Sequence, residues 1–103
     1  MTTFHAEGAT DASGAVVVTA SGDLDLASAE GFVGEVTTLV GEAAVVRLDL
    51  RDVTFMDSTG LGALIKVRNR MADRGGSVVL VSASAAVERV LALTGMSDVF
   101  NLA

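Results

Sequence analysis

The segment richest in chemistry is Leu48-Asp49-Leu50-Arg51-Asp52-Val53-Thr54-Phe55-Met56-Asp57-Ser58-Thr59-Gly60-Leu61-Gly62, where two adjacent hydroxyls sit between an acidic residue and two glycines. Its apolar beginning reads as the end of a strand and its finish as the start of a helix. Parallel α/β sheets place ligand and partner sites at such carboxyl ends. First-turn amides have no intrahelical acceptor and the helix dipole favours negative charge, so a phosphate on Ser58 would be accommodated there. Asp57 opposes this by adding a neighbouring negative charge. The same tetrapeptide, Asp-Ser-Thr-Gly, is equally a good capping sequence, which needs no role beyond starting a helix.

Other chemistries fit the residues less well. Ser58, His5 and an aspartate would make an acyl-transfer triad on paper, but no Gly-x-Ser-x-Gly elbow is present and His5 belongs to an alternating strand pattern. Gly60 and Gly62 at a helix start resemble a phosphate cradle, yet the Gly-x-x-x-x-Gly-Lys-Ser/Thr sequence is missing. Asp49, Asp52 and Asp57 are separated by strand and turn, so solvated charge is the simpler reading than a Mg²⁺ site. With no cysteine and His5 as the single histidine, the structural zinc patterns are excluded. The expectation is therefore a chain with no catalytic residue, no cofactor and no metal.

The elements that must position this segment follow from periodicity. Phe4, Ala6 and Gly8 alternate with His5, Glu7 and Ala9, a half-buried strand with His5 toward solvent, and Thr10-Asp11-Ala12-Ser13-Gly14 supplies a hairpin turn. The continuous run Val16-Val17-Val18-Thr19-Ala20 predicts a central strand covered on both faces and ended by Gly22. A helix follows from Leu26 with Asp25 as N-cap, its apolar positions being Ala29, Phe32, Val33, Val36, Leu39 and Val40. Gly31 and Gly34 inside it each cost about 1 kcal/mol, which sheet packing must offset.

Residues 44–50 predict the third strand and residues 51–57 a loop. A helix then starts near Ser58, with an arc of Gly60, Leu61, Leu64, Ile65, Met71 and Ala72, and ends at the glycines 75 and 76. Arg68 falls inside that arc, its stem packing and its head in water. Residues 77–81 predict a strand, Ser84 caps a helix carrying Val87, Val90, Leu91 and Leu93 that Gly95 closes, and residues 99–102 add a short edge strand. The resulting order is β, β, α, β, α, β, α, β. That predicts an α/β fold with a single mixed β-sheet of four to five strands, right-handed crossovers, and helices mainly on one face.

Composition bounds the rest. The chain has 103 residues, which suits one domain spanning residues 1–103 that buries about 65% of its unfolded surface in one core. Seven cations against thirteen anions give a net charge of −6, and the four aromatics are all Phe, so nucleic acid is a poor partner. Between Lys66 and Arg74 the charge is +3, which reads as a solvated basic face, leaving −9 elsewhere. Asp23, Asp25, Asp49, Asp52 and Asp57 contribute to that acidic excess, a surface suited to steering toward a basic partner. No window of about 18 apolar residues is present, and the segment from Met1 to Glu7 lacks the features of a secretory signal. A cytoplasmic protein that does not bind membranes is the expectation.

Leu48-Asp49-Leu50, Val53, Phe55 and Asp57-Ser58-Thr59-Gly60-Leu61-Gly62 together resemble the signature of the bacterial anti-sigma factor antagonists, the STAS domains. Gly22-Asp23-Leu24-Asp25 resembles that family's earlier Gly-acidic-Leu-Asp element, and the resemblance extends over the whole chain. It implies that Ser58 is a regulatory phosphoserine, with Thr59 the lesser candidate. The kinase would be an anti-sigma factor that binds ATP itself, and a serine phosphatase would reset the switch. By the same resemblance Asp23 is the acidic contact toward a basic residue of that partner, and Asp57, Thr59, Gly60 and Gly62 belong to the partner-binding surface. Unmodified protein would free the sigma factor, and phosphorylation at Ser58 would stop it. A monomer suits such an exchange of partners. The alternative the resemblance leaves is an accessory subunit of a lipid-transport ABC system.

Overall fold

The computed structural model describes residues 4–102. Met1, Thr2 and Thr3, part of the segment read against a secretory signal, lie outside the described residues, as does Ala103. The elements are β1 (His5–Thr10), β2 (Val16–Leu24), α1 (Ala29–Val40), β3 (Val45–Met56), α2 (Ser58–Asp73), β4 (Ser77–Ala83), α3 (Ala85–Leu93) and β5 (Asn101–Leu102). They form one five-stranded sheet in the order β1-β2-β3-β4-β5. β1 runs antiparallel to β2, and every other pairing is parallel. The predicted mixed sheet and element order hold.

One face of the sheet carries the core. Val16, Val18 and Ala20 of β2 stand beside Val46 and Leu48 of β3, which in turn pair with Val78 and Leu80 of β4, and all are buried. Phe32, Val36 and Val40 of α1, Leu64, Val67 and Met71 of α2, and Val87 and Leu91 of α3 join them in a single cluster. β1 closes its edge: Phe4 meets Phe32 edge-on with ring centroids 5.6 Å apart, a favoured aromatic geometry. Gly8 is small because Leu39 of α1 lies over it. The opposite face bears Val17, Thr19 and Ser21, half-buried or exposed, so the apolar run of β2 is covered on one side and not on both as its sequence predicts.

Three local readings change. Gly22 does not end β2; it takes φ +92° at a register shift within the strand, which continues to Leu24. Asp25 does not cap α1, because residues 25–28 form a turn in which its carboxylate accepts from the Ala27 amide at 3.0 Å and Ser28 takes the N-cap position. The predicted loop 51–57 is mostly strand, since β3 runs on to Met56.

The helix ends behave as read. Gly75 (φ +76°) and Gly95 (φ +72°) follow α2 and α3, and the Gly76 amide reaches back to the Met71 carbonyl at 2.8 Å, as the Met96 amide does to Leu91 at 2.8 Å. On α2 the buried side is Gly60, Leu61, Ala63, Leu64, Val67 and Met71, so Arg68 and Ala72 lie outside it on the exposed side. The basic face is not simply solvated. Arg74 donates to the carbonyls of Gly41 and Ala43, both at 2.7 Å, satisfying acceptors just beyond the end of α1.

Candidate functional site

The site is built where the carboxyl ends of β2 and β3 meet the amino end of α2. In the register, Thr19 faces Asp49 and Ser21 faces Asp52, then Gly22 faces Val53 and Asp23 faces Phe55. Two residues of β2 are thus spanned by three of β3, and further on one is spanned by two. These two bulges explain why the buried residues at the end of β3, Leu50, Val53 and Met56, recur every third position rather than every second. A bulged strand is easily taken for a loop, because its burial loses the period of two.

Asp57 follows in an extended conformation and caps α2: its Oδ1 accepts from the Gly60 amide at 2.9 Å, and its carbonyl accepts from the Leu61 amide at 3.0 Å. Ser58 is the first residue of the helix and is exposed; Thr59 is half-buried. Gly60 is buried against the neighbouring strand. A β-carbon there would collide with the Leu24 carbonyl oxygen and lie 2.7 Å from Met56 Cγ. That contact docks the first turn of α2 onto the end of β2, which is how Asp23 and Ser58, 35 positions apart in the sequence, come to one end of the sheet. Gly62 does not serve packing, since a β-carbon there would meet nothing within 4 Å. It faces a groove of about 730 Å³ between α1 and α2, which Leu26, Glu30, Gly34, Thr59 and Lys66 also line.

Asp23 is half-buried, and its Oδ1 accepts a 2.7 Å hydrogen bond from Thr54 Oγ1. Asp25 sits in the next turn, where its amide donates to Ser28 Oγ at 3.0 Å. Asp49 is not part of this constellation. It stands opposite Thr19 further down the strand and pairs with Arg51 at 3.0 Å. The three aspartates weighed as a Mg²⁺ site are not brought together, and among the described residues no group of three potential ligands is close enough to hold a metal ion. His5 is exposed on β1 and hydrogen-bonds Glu7 at 2.9 Å, in keeping with the strand reading.

Two features escape sequence reading. Thr54 reads as an unremarkable loop residue until the bulge turns it toward Asp23. Leu26 reads as the start of the helix, yet α1 begins at Ala29 and Leu26 is 79% exposed in the turn before it, beside the groove. Phe55, opposite Asp23, is 49% exposed. The site is thus an exposed hydroxyl at a helix start with acidic residues and apolar side chains around it, an arrangement suited to docking a protein and accepting a phosphate.

The family described as STAS domain matches residues 8–103. The anti-sigma-B factor antagonist of Bacillus subtilis (strain 168) is 31% identical over 87 residues, covering 84% of this chain and 80% of that protein. The crystal structure of an anti-sigma factor antagonist from Mycobacterium paratuberculosis superposes with a TM-score of 0.82 at 26% identity, covering 97% of this chain and 85% of that one. The Bacillus cell fate determinant SpoIIAA in its phosphorylated form shares the fold with a TM-score of 0.71 at 20% identity, over 96% of this chain and 91% of that one. Among the described residues no helix is long and apolar enough to cross a membrane.

Proposed function

Because this chain belongs to the STAS domain family, we propose that it works as a phosphorylation-switched anti-sigma factor antagonist, with Ser58 as the switch. The relative from Bacillus subtilis, aligned over most of both chains, is an antagonist of an anti-sigma factor. The observation that carries the reading is the exposed Ser58 at the first position of α2, at the same end of the sheet as Asp23, where Gly60 packs against Leu24.

In the unmodified state Asp23, Asp57, Ser58, Thr59, Gly60 and Gly62 dock on an anti-sigma factor that is also a serine kinase, and its sigma factor is released to RNA polymerase. The protein supplies no catalytic group, cofactor or metal; the partner brings the ATP. In the transfer, the Ser58 oxygen takes the γ-phosphoryl group, ADP leaves and the hydroxyl proton is lost. The product carries about −1.5 to −2 additional charge next to Asp57. First-turn amides and the helix dipole stabilise that phosphate, so the fold survives. The interface does not survive it, because a surface shaped for a neutral hydroxyl must then bury or repel a dianion. SpoIIAA, of the same fold, is itself known in a phosphorylated form. Hydrolysis by a serine phosphatase restores the hydroxyl. A monomer in the cytoplasm suits this exchange, in which one surface serves partner and phosphatase in turn.

The test is a pull-down from the native cytosol with unmodified protein, then addition of ATP and mass spectrometry of the Ser58 peptide. Capture of an ATP-binding anti-sigma factor, with phosphate on Ser58 and none in Ser58→Ala, is the expected result. Equal binding of wild type and Ser58→Glu to that kinase would overturn the switch. Capture of a permease and an ABC ATPase instead would establish the transport-accessory role.

A further inference from the structure

Thr54 is the extra residue of the second bulge in β3, skipped between the pairs Gly22 with Val53 and Asp23 with Phe55. A residue skipped in this way leaves the alternation of the ladder, and its side chain is re-aimed. Here the hydroxyl is turned across to β2, where Thr54 Oγ1 donates to Asp23 Oδ1 at 2.7 Å. The next residue of β2, Leu24, is held on its other side by Gly60 against its carbonyl oxygen. The backbone that carries Asp23 is thereby fixed by α2, and the carboxylate by Thr54.

The geometry points to Thr54 as a positioning residue for partner recognition. By holding the Asp23 carboxylate in one orientation, it presents a preformed acceptor to a basic side chain of the anti-sigma factor, arginine in particular. Planar guanidinium pairing depends on the plane of the carboxylate, so orientation matters more than it would for a point charge. A carboxylate held less firmly would lose more freedom on binding, and the added ordering cost would subtract from affinity. The bond also links β3 to β2, but Thr54 is exposed, which keeps its share of the stability small, and valine, of nearly the same shape, suits a strand as well. This inference rests on the reading that Asp23 contacts the partner.

The host's anti-sigma factor kinases, purified singly, are first titrated with wild type, and the one that binds becomes the probe. Thr54→Val and Thr54→Ala should each bind it about five-fold more weakly, and Thr54→Ser should keep wild-type affinity, with all melting temperatures close to wild type. In an Asp23→Ala background the same three substitutions should have no further effect, because a residue acting through Asp23 is silent once Asp23 is gone. Wild-type affinity in Thr54→Val, or an equal loss in the Asp23→Ala background, would overturn the inference and leave the proposed function standing. Failure of every kinase to bind wild type would overturn the proposed function, and this inference with it.

Discussion

Gly60 of α2 lies so close to the carbonyl oxygen of Leu24 in β2 that no side chain fits between them. Because Asp23 precedes Leu24 and Ser58 lies two residues before Gly60, this contact, together with the pairing of Leu24 with Met56, sets the spacing of the two residues on which partner recognition is proposed to depend. The glycine is required by close approach and not by backbone angle.

The two motif glycines should therefore respond oppositely to alanine. Gly60→Ala must displace either the start of α2 or the end of β2, with an expected loss of about 2–4 kcal/mol. Gly62→Ala places its methyl in open space within a helix and should gain up to about 1 kcal/mol. Urea denaturation of the two variants beside wild type checks both signs. Equal stabilities would mean that the contact at Gly60 relaxes freely.

Asp57 combines a cap with a charge, and two substitutions separate them. Asp57→Ala removes the acceptor of the Gly60 amide and should cost about 1 kcal/mol. Asp57→Asn keeps an acceptor oxygen and should fold with nearly wild-type stability. If the carboxylate also meets a basic partner, Asp57→Asn will weaken kinase binding while its melting temperature stays within a few degrees of wild type. Thermal melts paired with binding isotherms on the same preparations decide this.

The parts of the fold that were legible in the sequence are those governed by regular periods. The alternation of Phe4, Ala6 and Gly8, the glycines after α2 and α3, and the cap at Ser84 each follow from local chemistry, and each is found where it was expected. What could not be read is the end of β3. Its buried residues Leu50, Val53 and Met56 have a spacing of three, because two bulges accommodate extra residues that only pairing with β2 reveals. The same pairing aims Thr54 at Asp23, so that part of the site was hidden for the same reason. Leu26 misled by falling in helical register while lying in a turn, where the chain has not yet begun the helix. The serine and the capping aspartate were legible because a helix start is a local event.

Arg74 ties the end of α1 to the end of α2 by donating from two different guanidinium nitrogens to two carbonyls, a fork that the single nitrogen of lysine does not reproduce. Arg74→Lys should accordingly lose about as much as Arg74→Ala, up to about 1 kcal/mol at this exposed position. Hydrogen exchange should locate the loss, with faster exchange at the Gly41 and Ala43 amides and unchanged protection in β2 and β3. Full retention of protection in Arg74→Ala would show that water replaces the guanidinium at no cost.

Acid sensitivity should arise in the turn between β1 and β2, far from the switch. Asp11 Oδ1 accepts from the Ser13 hydroxyl at 2.6 Å and from the amides of Ser13 at 2.8 Å and Ala15 at 3.1 Å, while Oδ2 faces Arg47 Nε at 3.2 Å. The Ser13 hydroxyl bond is the main cause that holds its carboxyl below the ordinary value of 3.8; the two amides and the Arg47 charge add to it, against a desolvation cost that raises it. A lowered folded value means that the unfolded chain binds the proton more readily. The contribution of Asp11 is therefore fully present above 3.8 and is lost as pH falls through the lower folded value. Asp11→Asn, which cannot ionise, should be less stable than wild type at pH 7, and the gap should close as pH falls below 3.8. Chemical denaturation of both proteins from pH 7 to pH 2.5 measures the gap directly, and a difference independent of pH would assign the role of Asp11 to its hydrogen-bonding shape instead of its charge.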